Sequence, residues 1–230
     1  MSCIVHIETT TSVCSVSLSQ DGACLMSEED FGGPSHGVKL APFVDEAVSF
    51  ADSHAIPIDA VAVSSGPGSY TGLRIGCSTA KGLCYGRHLK LISVSTLELM
   101  CVPLLLFRDD LPDDALFCPM LDARRMEVYS AIYERDLHAV KPVSADIIDE
   151  DSYGDFLKDR KVVFFGNGAE KCKKTIVHPN AIFVDNIHPL AKYMFPLAEK
   201  ALAQGRTEDV AYYEPFYLKD FVTTTPKKLF

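Results

Sequence analysis

Gly66, Gly68 and Gly72 stand in Gly-Pro-Gly-Ser-Tyr-Thr-Gly, between the apolar run Val61 to Val63 and a stretch with helical spacing. Backbone N–H groups at such a strand-to-helix junction can hold an anion, and glycine permits positive φ or close approach of a ligand. P-loop chemistry on a magnesium nucleotide needs a lysine after the last glycine, and Leu73 and Arg74 stand there instead. The spacing G-x-G-x-x-x-G also departs from the dinucleotide fingerprint, and the next apolar run, Lys90 to Val94, carries no acid for a ribose. Two readings remain open: a residual ligand loop, or a sharp turn in which glycine serves geometry alone.

A second group of charges, Asp122, Arg124, Arg125 and Glu127, surrounds a turn between two apolar runs. It either faces a ligand cleft or forms a structural ion-pair network. Arg74 opposes the dipole at a helix start and needs a partner, which is a surface carboxylate or a docked ligand. Gly166-Asn-Gly168 is a ligand loop or a helix-entry turn, and Lys171, Lys173 and Lys174 read as a solvated helix face. The seven histidines offer no H-x-x-x-H or H-E-x-x-H, with Leu40 four residues after His36, so no metal site is expected. Eight cysteines without a C-x-x-C pair read as reduced, mainly buried thiols.

Positioning these residues requires a regular series of elements. Cys3 to Glu8, Val13 to Ser19 and Ala23 to Glu28 alternate as strands, with turns at Thr9 to Ser12 and Asp21-Gly22. A helix follows over His36 to Ala51, then a strand at Asp59 to Ser64, the glycine loop, and a helix over Gly72 to Tyr85. A strand at Lys90 to Val94 leads to a helix from Thr96, for which Ser95 and Glu98 form a capping box.

The second half repeats the series. Strands at Leu116 to Leu121, Val128 to Tyr133 and Ala139 to Ile147 precede a short helix at Tyr153 to Leu157. Strand Val162 to Phe165, helix Ala169 to Thr175, strand Ala181 to Val184 and helix Leu190 to Ala203 complete it. The acidic run from Arg108 to Asp114 is a natural boundary, giving subdomains 1–107 and 108–230, the second complete or reduced. The expected fold is therefore α/β, a duplicated βββαβαβα unit of the actin-like, Hsp70-like (ASKHA) class, whose members bind ATP between the halves.

The turns Glu8-Thr-Thr-Thr-Ser12 and Asp122-Ala-Arg-Arg-Met126, which would cradle phosphate, contain no glycine. A net charge of −9 supplies no basic stripe for a nucleic-acid backbone, and no run is long and apolar enough for a membrane span. Met1-Ser-Cys-Ile-Val has no charged leader, so a cytoplasmic protein is expected.

Several segments together resemble one family. They are Glu8 to Val16, His36 to Leu40, Pro42 to Asp45, Gly66 to Gly76, Thr79 to Gly82, Asp122 to Tyr129, Gly166 to Ala169 and Pro215 to Lys219. The chain is similar to the TsaB (YeaZ) family of the glycoprotease-like superfamily, departing at Glu8, where that family more often has Asp. The resemblance implies a noncatalytic subunit for N6-threonylcarbamoyladenosine formation at the adenosine immediately 3′ of the anticodon, in tRNAs reading codons that begin with adenine. Its implied partners are the transferase TsaD, which holds metal and ATP, and the ATPase TsaE. It further implies contact with tRNA only through the complex, a homodimer when the partner is absent, and no cofactor beyond a remnant nucleotide site. An ATP-dependent phosphotransferase is the alternative, and a metallopeptidase, suggested by the superfamily's name, is a third reading.

Gly76, Ala80 and Cys84 recur every fourth residue, a stripe of small side chains that lets another helix come close. With Leu73, and with Leu40 and Val44 of the flanking helix, they are the expected partner-docking surface. The competing reading is that both helices simply cover their own sheet.

Overall fold

The computed structural model describes residues 2–33 and 35–219. Strands β1 (Cys3–Glu8), β2 (Cys14–Gln20) and β3 (Ala23–Asp30) form the opening meander. Asp21 at φ 48° and Gly22 at φ 80° supply the left-handed pair that a two-residue hairpin needs. Helix α1 (His36–Ser53), β4 (Ala60–Gly66), α2 (Tyr70–Arg87), β5 (Lys90–Ser95) and α3 (Thr96–Phe107) complete the first half. The second contains β6 (Leu116–Asp122), β7 (Glu127–Tyr133), β8 (Ala139–Ile147), α4 (Gly154–Asp159), β9 (Val162–Phe165), β10 (Ala181–Val184) and α5 (Phe195–Ala203).

The two sheets have the same topology. One runs β3-β2-β1-β4-β5 and the other β8-β7-β6-β9-β10, each with three antiparallel strands followed by two parallel ones. Two copies of this order are the duplicated unit of the actin-like fold.

Alternation along β1 sends Val5 and Ile7 to one face, where they pack with Leu40 and Ala47 of α1 and Ala80 and Cys84 of α2. Ile4 faces the other way, with Ala62 and Ile92, against Leu99 of α3 and Ala198 and Ala201 of α5. Helix α3 turns Leu97, Met100, Cys101 and Leu104 to the second sheet, where they meet Phe117, Val163 and Phe165. Packed on both sides, it is apolar throughout from Leu99 to Phe107. The strands divide near residue 108, but α5 and the chain beyond it return to the first half. The Glu208 N–H donates to Leu91 O at 2.8 Å and that of Phe216 to Ser65 O at 2.7 Å. Residues 220–230 of the expected second subdomain lie outside the described residues.

Three expectations are corrected. The helix read over Ala169 to Thr175 is a 3₁₀ turn, Glu170–Cys172, because only Ala169, Cys172 and Ile176 bury themselves deeply there. The helix read over Leu190 to Ala203 is a 3₁₀ turn, Ala191–Tyr193, followed by α5, which starts at Phe195 with Pro196 in its first turn. Most consequentially, Leu40, Val44, Leu73, Gly76, Ala80 and Cys84 are all buried within the chain. The small stripe of α2 serves close helix–sheet packing, and these six side chains offer nothing to a partner.

Seven of the eight free cysteines are buried and Cys24 is exposed. No helix among the described residues is long and apolar enough to cross a membrane.

Candidate functional site

The turn between β1 and β2 is the hinge of the site. The Thr9 hydroxyl donates to Gly72 O at 2.7 Å, and the Ser69 N–H donates to Thr10 O at 2.7 Å. Ser69 also caps α2, its Oγ accepting from the Gly72 N–H at 3.2 Å. Contact is so close that a Cβ on Gly68 would stand 2.6 Å from the Thr10 carbonyl oxygen, and one on Gly72 or Gly76 would overlap Thr9. The glycine loop is thus a seat for the Thr9–Thr10 turn, whose close packing needs glycine at these positions, and Gly68 and Gly72 also border the cleft. Gly66 differs: at φ 109° it is left-handed, and its Cβ would meet Phe216 O at 2.6 Å.

Glu8, at the end of β1, is fully buried. One of its oxygens accepts from the Thr10 N–H and Thr10 Oγ1, both at 2.5 Å, and the other accepts from Ser64 Oγ. Burial pushes its carboxyl up from an ordinary 4.5 to about 7, with the Ser64 and Thr10 donors pulling the other way. His6, two residues earlier on the same face, is also fully buried. Burial pushes its imidazole down to about 3, and Nε2 lies 2.7 Å from Ser19 Oγ. Neither group opens on the cleft.

Between the halves lies a cleft of about 720 Å³, lined by Thr10 to Ser12, Gly68 to Gly72, Asp122 to Arg124, Asn167 and Tyr217 to Lys219. Of the four charges singled out on the second turn, Asp122 and Arg124 line it, and Arg125 and Glu127 do not. Arg124 at φ 71° and Arg125 at φ 50° take the left-handed conformation without glycine, and Asp122 Oδ1 fixes the turn by accepting from the Arg124 N–H at 3.0 Å. Lys171 pairs with Asp122, which corrects its reading as a solvated side chain, and it donates to Glu127 O at 2.6 Å. Lys173 is likewise paired, with Glu170 at 2.8 Å and with Asp185. Lys219 reaches Glu127 at 2.5 Å, so the two acids of the turn pair with lysines from elsewhere in the chain, whereas Arg124 and Arg125 form no ion pair among the described residues.

Arg74 finds no carboxylate among the described residues. Its guanidinium lies 5.6 Å from the centre of the Tyr70 ring, which in turn packs on Tyr217 at 4.8 Å. Gly166, at φ 100°, packs against Met100 and Met120, and a Cβ on Gly168 would stand 2.8 Å from the Leu121 carbonyl carbon. These two glycines make a turn seated on β6, and only Asn167 between them reaches the cleft, where its Oδ1 accepts from the Asp122 N–H at 2.9 Å. Tyr217 and Lys219 stand out by no residue type or spacing, although they, like Asn167, lie inside segments that carry the family resemblance.

A cleft between the hairpin turns of two five-stranded lobes defines an actin-like protein, and the sequence narrows the class. It matches the family model described as "TsaD: tRNA N6-adenosine threonylcarbamoyltransferase" over residues 30–227. It is 30% identical to the tRNA threonylcarbamoyladenosine biosynthesis protein TsaB of Escherichia coli K12, covering 95% of each chain. The protein of the same name from Haemophilus influenzae is 27% identical, over 96% of this chain and 94% of that one. The solved structure of YeaZ from Pseudomonas aeruginosa superposes with a TM-score of 0.76 at 23% identity, over 95% of this chain and 100% of that one. Within the actin-like class, the chain belongs to the TsaB (YeaZ) family.

Proposed function

We propose that this chain is a noncatalytic subunit in the formation of N6-threonylcarbamoyladenosine in tRNA. It supports a TsaD-type transferase, joins a TsaE-type ATPase, and meets tRNA only through the complex. The modified position is the adenosine 3′ of the anticodon in tRNAs reading codons that begin with adenine.

The observation that carries this reading is the placement of Glu8. A catalytic carboxylate at the end of the first strand must face the cleft to hold a metal or orient water. Glu8 instead spends both oxygens on Thr10 and Ser64 inside the core. The net charge of −9 adds a second reason, since it opposes independent binding to a phosphate backbone. A cleft of about 720 Å³ has room for a nucleotide, so a remnant site accompanies the subunit role and is the one feature favouring the phosphotransferase alternative.

Docking uses the outer face of α1 and α2. With the small stripe buried, that face consists of Val38, which is 76% exposed, and Ala41 and Asp45 on α1, with Ser78, Gly82 and Tyr85 on α2. A Cβ on Gly82 would meet nothing of its own chain within 4 Å, which leaves room for a closely approaching helix. Two copies pair through the same face when the transferase is absent.

Sedimentation velocity with a TsaD-type transferase tests the reading. A stoichiometric heterocomplex that forms at the expense of the homodimer is expected; two independently sedimenting species would overturn it. Turnover of ATP by the isolated chain at about 1 per second, an ordinary enzymatic rate, would favour the phosphotransferase instead.

A further inference from the structure

A second cavity, of about 430 Å³, lies outside the interlobe cleft and shares no lining residue with it. It opens at the C-terminal ends of β4 and β5, beside the first turn of α3, and its far walls are α5 and the turn after β7. Crevices at the carboxyl ends of parallel strands are common ligand sites.

Its charges are balanced and kept apart. Glu98 and Asp136 supply two carboxylates, and Lys200 and Arg206 supply two cations. Glu98 is half-buried, whereas the two cations are exposed. Ser95 accepts from the Glu98 N–H at 3.4 Å, but the Glu98 carboxylate does not complete the capping box. It has neither a hydrogen-bond partner nor an ion pair among the described residues. Burial raises its pKa while Arg206 and Lys200 act on it from a distance in the opposite sense. The Arg206 Nε–H donates to Gln204 Oε1 at 2.8 Å, and Lys200 forms no ion pair among the described residues. The Ser93 hydroxyl already donates to Glu208 at 2.5 Å, so what it offers the cavity is acceptor capacity.

We propose that this cavity binds a small zwitterion of the α-amino-acid class, its ammonium directed to Glu98 and its carboxylate to Lys200 and Arg206. A simple anion meets two carboxylates and a simple cation meets two ammonium or guanidinium groups. A net-neutral ligand with separated charges satisfies both pairs. The volume falls within the range of small-molecule sites and exceeds a bare amino acid, leaving space for its side chain and bridging water.

Isothermal titration of the full chain with each standard amino acid, at low ionic strength, tests this. At least one should bind with one-to-one stoichiometry. Glu98→Gln and Arg206→Gln should each weaken it by about tenfold or more, the loss of a charged hydrogen bond, with unchanged circular dichroism. The N-acetyl derivative and the methyl ester of that amino acid, which lack the ammonium and the carboxylate respectively, should fail as well. No heat with any amino acid at millimolar concentration, or affinity unchanged in both variants, would overturn the proposal.

Discussion

The Thr9 hydroxyl donates to the carbonyl of Gly72 at 2.7 Å, across 63 positions of sequence. That bond joins the first turn of the fold to the start of α2, and the absence of a Cβ at Gly72 permits it. Gly68→Val and Gly72→Val should each destabilise the chain by about 3 kcal/mol or more, since a side chain would collide with backbone that has nowhere to move. Thr9→Val should cost about 1 kcal/mol, the worth of one buried hydrogen bond. Urea denaturation measures both; equal midpoints for wild type and the glycine variants would show the seat to be unimportant.

The second prediction concerns pH. Glu8 has its folded pKa raised to about 7 from 4.5, so the stability it contributes is fully present below 4.5 and is lost as pH rises through 7. The loss is about 3 kcal/mol for a shift of this size. His6 acts in the opposite sense: its folded pKa is lowered to about 3 from 6.5, so its contribution is present above 6.5 and lost as pH falls. The difference between wild type and Glu8→Gln separates the two. The variant should gain on wild type as pH goes from 5 to 8, and stability curves that stay parallel would refute the assignment.

Interface and core can be told apart on one helix. Ala80 is buried, so Ala80→Arg should unfold the chain, with a loss of several kcal/mol from a charge in the core. Gly82 is exposed and open, so Gly82→Arg should leave the melting temperature within a few degrees while abolishing self-association and transferase binding. A Gly82→Arg protein that still binds as before would move the docking face elsewhere.

Much of the fold was legible because its signals are local. Alternation in Cys3 to Glu8 and the Asp21-Gly22 turn depend on neighbouring residues, and β8, β9 and β10 begin and end where their residue patterns do. What sequence could not convey was which side of a periodic helix meets the sheet. Gly76, Ala80 and Cys84 form a genuine stripe, but close approach to Thr9 and close approach to another chain demand the same small residues. The candidate cleft was half legible for a similar reason. Asp122 and Arg124 share a turn, whereas Lys171 and Lys219 join them from 49 and 92 residues away from their partners Asp122 and Glu127.

The most direct test of the subunit role is reconstitution of threonylcarbamoylation on purified tRNA with a TsaD-type transferase, a TsaE-type ATPase and the threonylcarbamoyl-adenylate donor, with this chain present or omitted. Modification should require the chain, and on the noncatalytic reading it should persist with Glu8→Gln. Full modification without the chain, or its complete loss in a folded Glu8→Gln variant, would contradict the account.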